Sequence, residues 1–177
     1  MFLAKPSFKT IKQGDDFMKN SKVRMCVDNA IIAALYCALT LTPGLNALSY
    51  NAIQFRLAEI LLFLVFYKKQ LGFGIVLGCL ISNCFSPLGL PDIIFGTLSS
   101  AIAVVLITFL GKKLEIVAFL PLIQCFIIAG ELTIVLKELP YWTNFLYVFL
   151  GELAVMIVGY IVFKIIGQKK WFEKCIK

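Results

Sequence analysis

Residues 143–166, TNFLYVFLGELAVMIVGYIVFKII, decide the fold. These 24 residues carry two charges, Glu152 and Lys164, and as a helix rising 1.5 Å per residue they are long enough to cross a hydrocarbon layer of about 30 Å. No face of such a helix is polar enough to be kept for water. Upstream lie five more apolar runs, at 25–42, 53–67, 71–85, 93–110 and 114–136. The whole chain of 177 residues is 60% hydrophobic and only 15% charged, more apolar surface than a soluble domain of this length needs. The expectation is an all-α membrane protein built as a six-transmembrane-helix bundle. Residues 1–24 form a basic cytoplasmic lead-in, 25–168 the membrane domain and 169–177 a basic cytoplasmic tail. The second and third runs are short for a full crossing, so they are expected to be shielded by protein, where irregular backbone is tolerated at membrane depth.

The basic residues set direction. Lys5, Lys9, Lys12, Lys19, Lys22 and Arg24 precede the first run, Lys68 and Lys69 follow the second, Lys112 and Lys113 follow the fourth, and Lys164, Lys169, Lys170, Lys174 and Lys177 close the chain. The alternate connectors, PGLNALSYN (43–51), SPLGLPD (86–92) and KELPYW (137–142), offer only Lys137. The positive-inside rule therefore puts both termini in the cytoplasm, with Tyr141 and Trp142 in the outer aromatic belt and Trp171 and Phe172 in the inner one. A net charge of +7 spread in this way describes topology, not nucleic-acid binding. The polar, basic start lacks the tripartite pattern of a cleaved signal.

Several chemistries are excluded. Six scattered cysteines without a CxxC pair, and no histidine at all, argue against a metal centre or a disulfide framework. No GxxxxGK[ST], HExxH or GxSxG motif occurs, so neither hydrolase chemistry nor use of ATP by this chain alone is expected, and no cofactor. The chain also lacks the two inverted halves of many self-sufficient transporters.

What remains polar is concentrated. With the direction set, Gln54, Arg56 and Glu59 lie in the outer half of helix two and Asn83 near the outer end of helix three. Asp92 opens helix four, Gln124 and Glu131 share a face of helix five, and Glu152 lies on helix six. Each charge near the bilayer centre costs on the order of 2.5–3.5 kcal/mol, so each needs a partner, a proton or a watery cavity. Arg56 and Glu59, three residues apart, are placed to pair on one helix face. Asp92, Glu131 and Glu152 then form an acidic surplus that a cationic ligand would relieve. Structural roles compete with this reading. The Arg56–Glu59 pair would also stabilise a bundle, Asp92 in a first turn suits the helix macrodipole, and Asn83 and Gln124 are able to bond neighbouring helices.

Helix one contains AIIAALYCA (30–38), which sets Ala30, Ala34 and Ala38 on one small-residue stripe that permits close helix approach, within this bundle or to another protein. Gly96, Ser100 and Ala103 in helix four have the character of internal packing.

The stretches IQFRLAEILLFL (53–64), GCLISNCFSPLGLPDIIFGTLSSAIA (78–103), AGELTIVLKELPYW (129–142) and LYVFLGELAV (146–155) resemble the QueT family of queuosine-precursor transporters over about residues 51–155. The QFRxxE and SPLGLPDxxFG segments are the most specific. The resemblance implies a substrate-binding S component of an energy-coupling factor (ECF) transporter in the bacterial plasma membrane. Such a component captures a 7-deazaguanine, the aminomethyl form or queuine, and docks on one transmembrane coupling subunit and two ATPases. It implies docking through Ala30, Ala34 and Ala38. It also implies a ligand site drawn from Gln54, Phe55, Arg56, Glu59, Asn83, Asp92, Gln124, Glu131, Trp142 and Glu152, with Phe55 or Trp142 stacking on the ring. One of Glu131 and Glu152 would read the purine edge, with the other or Asp92 holding the ammonium group. An S component for another micronutrient, a stand-alone proton-coupled carrier and a ligand-free structural protein are the alternatives.

Overall fold

A computed structural model describes residues 21–42, 55–169 and 172. Each of the six apolar runs contains a helix: α1 (Ser21–Leu41), α2 (Leu57–Tyr67), α3 (Gly72–Asn83), α4 (Asp92–Leu110), α5 (Leu114–Val135) and α6 (Tyr141–Ile166). Among the described residues, four helices are long and apolar enough to cross a membrane, α1, α4, α5 and α6. The other two are shorter. Large apolar side chains such as Phe73, Phe109 and Phe119 are more than half exposed while Glu59, Asp92, Glu131 and Glu152 are buried, the reverse of a protein built for water.

The irregularities have local causes. α2 begins as a tight 3₁₀ turn over Leu57–Leu62 and becomes α-helical only at Phe63–Tyr67. Ala58, Glu59, Leu61, Leu62, Phe63 and Val65 are all buried, which meets the expectation of a short, shielded segment. α4 starts with a π-helical turn, Asp92–Gly96, after Gly89 has turned the chain at a φ of 69°. α5 is interrupted at Leu120–Ile123, where Pro121 supplies no N–H to the helix ladder, and resumes as Gln124–Val135. Lys137, at a φ of 55°, lies just past its end.

α1 packs chiefly along α3. Gly74 and Gly78 make this possible, because a Cβ on Gly74 would lie 2.5 Å from the Asn29 carbonyl oxygen, and one on Gly78 would lie 2.9 Å from that of Ala33. The Gly74 amide also donates to Asn29 Oδ1 at 2.6 Å. This small-residue contact was not read from the sequence, although its four-residue spacing is visible there.

The lysine-bearing segments gather at one end of the bundle. Lys68 Nζ pairs with Asp28 Oδ2 at 2.6 Å, which brings the end of α2 to the start of α1. Tyr67 lies edge-on to Phe172, and Tyr160 donates to Glu115 at 3.4 Å, which brings the start of α5 beside the last turns of α6. The apolar core fills this half, with Phe63 stacked on Phe163 at 5.5 Å and Ile107, Val117 and Met156 buried around them. Towards the opposite end polar side chains enter the interior beside a smaller apolar cluster of Cys125, Ile128, Leu132 and Val148.

Candidate functional site

Two layers of polar side chains occupy that interior. In the layer nearer the end away from the lysines, Arg56 Nη2 pairs with Asp92 Oδ1 at 3.0 Å and donates to Asn83 Oδ1 at 3.3 Å. Gly96 makes room for them, since a Cβ there would stand 2.6 Å from Asn83 Nδ2 and 3.1 Å from Asp92 Oδ1. The π-turn belongs to this arrangement, because Asp92 and Gly96 are its first and last residues, and such turns recur at functional sites. Glu131 joins from α5, with Asp92 and Arg56 the charges acting on it. It is 1% exposed, and among the described residues neither carboxylate oxygen has a hydrogen-bond partner, nor does Asp92 Oδ2.

The second layer lies deeper. Tyr36 donates its hydroxyl to Glu59 Oε1 at 2.8 Å and Ser100 donates to the same oxygen at 3.3 Å. Gln124 Nε2 reaches both Glu59 Oε2 at 3.5 Å and Glu152 Oε1 at 3.2 Å, so one amide nitrogen spans two carboxylates. Asn83 and Cys79 connect the layers, as Asn83 Nδ2 donates to Cys79 Sγ at 3.4 Å and the thiol lies 3.2 Å from Ser100 Oγ. A polar chain thus runs from Arg56 to Glu152 through five helices.

Two expectations require correction. Arg56 pairs with Asp92 and not with Glu59, because it stands just outside the helix in an inverse γ-turn, at φ −79° and ψ 81°, closed by the Leu57 N–H on the Phe55 carbonyl at 3.0 Å, so the three-residue spacing does not set the two side chains on one helical face. Asp92 leaves the acidic surplus, since its charge answers Arg56, while it keeps the expected place in the first helical turn that suits the macrodipole. The acidic surplus survives with a different membership: Glu59, Glu131 and Glu152.

Asn83 and Gln124 both bond neighbouring helices and at the same time touch the charged groups. Phe55 is half-buried against the apolar core. Trp142 stands apart, 68% exposed and edge-on to Tyr141 and Phe145, which suits an interfacial belt better than ring stacking inside the cluster. Gln54 lies outside the described residues. Ala30, Ala34 and Ala38 are exposed, whereas α1 buries Asn29, Ala33, Tyr36 and Thr40. Tyr36, Ser100 and Cys79 were missed as site residues, although the spacing of Asn29, Ala33, Tyr36 and Thr40 marks the inward face of α1 and would have pointed to Tyr36.

The model of the QueT transporter family matches residues 26–168. The chain belongs to the QueT transporter family. It is 36% identical over 166 residues to the queuosine precursor transporter QueT of Lactococcus lactis subsp. cremoris (strain MG1363), an alignment covering 86% of this chain and 97% of that protein. No solved structure matches it. QueT family membership and the long apolar helices together describe a multi-pass membrane protein of a transporter family.

Proposed function

We propose that the protein is the substrate-binding S component of an ECF-type importer and takes up a queuosine precursor, a 7-deazaguanine, across the cell membrane. The observation that carries this reading is the buried acidic surplus, with Glu131 unpartnered at both oxygens among the described residues. A carboxylate accepts two parallel N–H bonds, which a guanine-like edge offers, and an ammonium group would offset the remaining charge. The similarity to a queuosine precursor transporter agrees with that chemistry. The lysine-rich end then faces the cytoplasm together with both termini, and the carboxylate layers lie towards the exterior. Residues 25–168 form the membrane domain in six crossings, α2 and α3 being the short ones.

Energy comes from partners, one coupling subunit and two ATPases, docked on Ala30, Ala34 and Ala38. Ala34 and Ala38 lie about 160° around α1 from Tyr36 and Ala30 about 120°, so a docked partner and the ligand site occupy different faces of one helix. Two measurements test the reading. The purified protein in detergent is expected to gain thermal stability from 7-deazaguanines and not from unrelated vitamins; stabilisation by an unrelated vitamin alone would assign another cargo. Ala34→Leu is expected to abolish copurification with the ATPase module while leaving ligand binding within about twofold, because a side chain added to a close helix contact separates the helices. Normal copurification of that variant would remove the docking face.

A further inference from the structure

The two layers differ in what their acids have left to offer. Glu131 presents a complete carboxylate, buried and without a partner among the described residues. Glu59 has both oxygens engaged, by Tyr36 and Ser100 on one side and Gln124 on the other. Glu152 shares that single Gln124 nitrogen through Oε1. The deep layer therefore holds two carboxylates with neutral donors between them, while Arg56, the cation of the cluster, gives Nη2 to Asp92 and Asn83 in the layer above.

We infer that the layers divide the ligand: Glu131 takes the two adjacent N–H groups of the deazaguanine edge, and the Glu59–Glu152 pair takes the exocyclic ammonium, which makes the site selective for the cationic precursor. This assignment rests on the deazaguanine reading. Its geometry is consistent, because Gln124 and Glu131 are seven residues apart on one helix, a rise of about 10 Å. A bicyclic ring with an aminomethyl arm fills such a span when a charge-assisted hydrogen bond of about 2.8 Å is added at each end. The unpartnered state of Glu131 is also the one a bidentate edge requires, since an oxygen already bonded to the protein would leave one N–H of the ligand buried and unsatisfied. At the other end an ammonium supplies three donors and one positive charge to a pair that has only an amide in common.

Binding is measured by calorimetry on the purified protein with two probes, 7-aminomethyl-7-deazaguanine, which has the edge and the cation, and 7-cyano-7-deazaguanine, which has the edge alone. The wild type is expected to prefer the aminomethyl compound by about 30-fold or more, the scale of a desolvated charge pair. Glu131→Gln replaces one acceptor oxygen by a donor and is expected to weaken both probes by about 30-fold. Glu152→Gln is expected to weaken the aminomethyl probe to a similar degree and to leave the cyano probe within about threefold, and that retained binding also shows the variant to be folded. Glu152→Gln weakening both probes equally, or Glu131→Gln affecting only the aminomethyl probe, would overturn the assignment while leaving the proposed function standing. A wild type that binds neither compound would remove both.

Discussion

Arg56→Ala is expected to destabilise the protein by about 3–5 kcal/mol, the usual cost of removing one partner from a buried ion pair. The guanidinium and Asp92 are 6% and 0% exposed, so no water replaces the lost partner. The same change deprives Asn83 Oδ1 of its donor. Asp92 would then be a charge in the bundle interior, one of whose oxygens already has no partner among the described residues. Adding Asp92→Ala to Arg56→Ala is expected to recover a large part of the loss, because the uncompensated charge goes with it and the pairwise energy is isolated by the double-mutant cycle. Unfolding in detergent checks both. A single variant as stable as the wild type would show that Asp92 finds another partner and that the pair does not hold α4 to α2.

The second large effect concerns the α1–α3 contact. Gly74→Ala would place a methyl carbon 2.5 Å from the Asn29 carbonyl oxygen and 2.9 Å from the Asn29 Cα, both backbone atoms that no rotamer change moves aside. α1 must shift, at an expected cost of about 1–3 kcal/mol, as for other overpacked interiors. The consequence reaches the site, since the shift carries Tyr36 away from Glu59, to which it donates at 2.8 Å. Ligand affinity is therefore expected to fall together with the melting temperature. Gly130→Ala is the control: the nearest atom to its added Cβ is Tyr141 Cε2 at 4.0 Å, and within a helix Ala is the better residue, so stability is expected to hold or rise by about 0.5–1 kcal/mol. Equal behaviour of the two variants would refute a contact set by backbone approach.

Much of the site was legible because charged residues are scarce in apolar runs, and each one found there invites an explanation. Arg56, Glu59, Asn83, Asp92, Gln124, Glu131 and Glu152 do converge. Their pairing was not legible. The three-residue rule that joined Arg56 to Glu59 assumes that both lie in one helix, and Arg56 stands before it in an inverse γ-turn. Tyr36 and Ser100 escaped notice for a different reason: one polar atom on an otherwise apolar or small side chain carries little weight in a sequence pattern, yet in a dry interior it decides which carboxylate oxygen is satisfied.

The order, extent and apolar surface of the helices follow from the sequence alone, as does the gathering of lysines in alternate connectors. These properties depend on transfer of whole segments between water and lipid, a sum over many residues that no single contact reverses. Which acid meets Arg56, which is shared through Gln124 and which is left for a ligand were decided only by the tertiary structure. A 3₁₀ turn, a π-turn and a proline break each rotate a helix face by tens of degrees relative to a regular α-helix, and a hydrogen bond does not survive such a rotation.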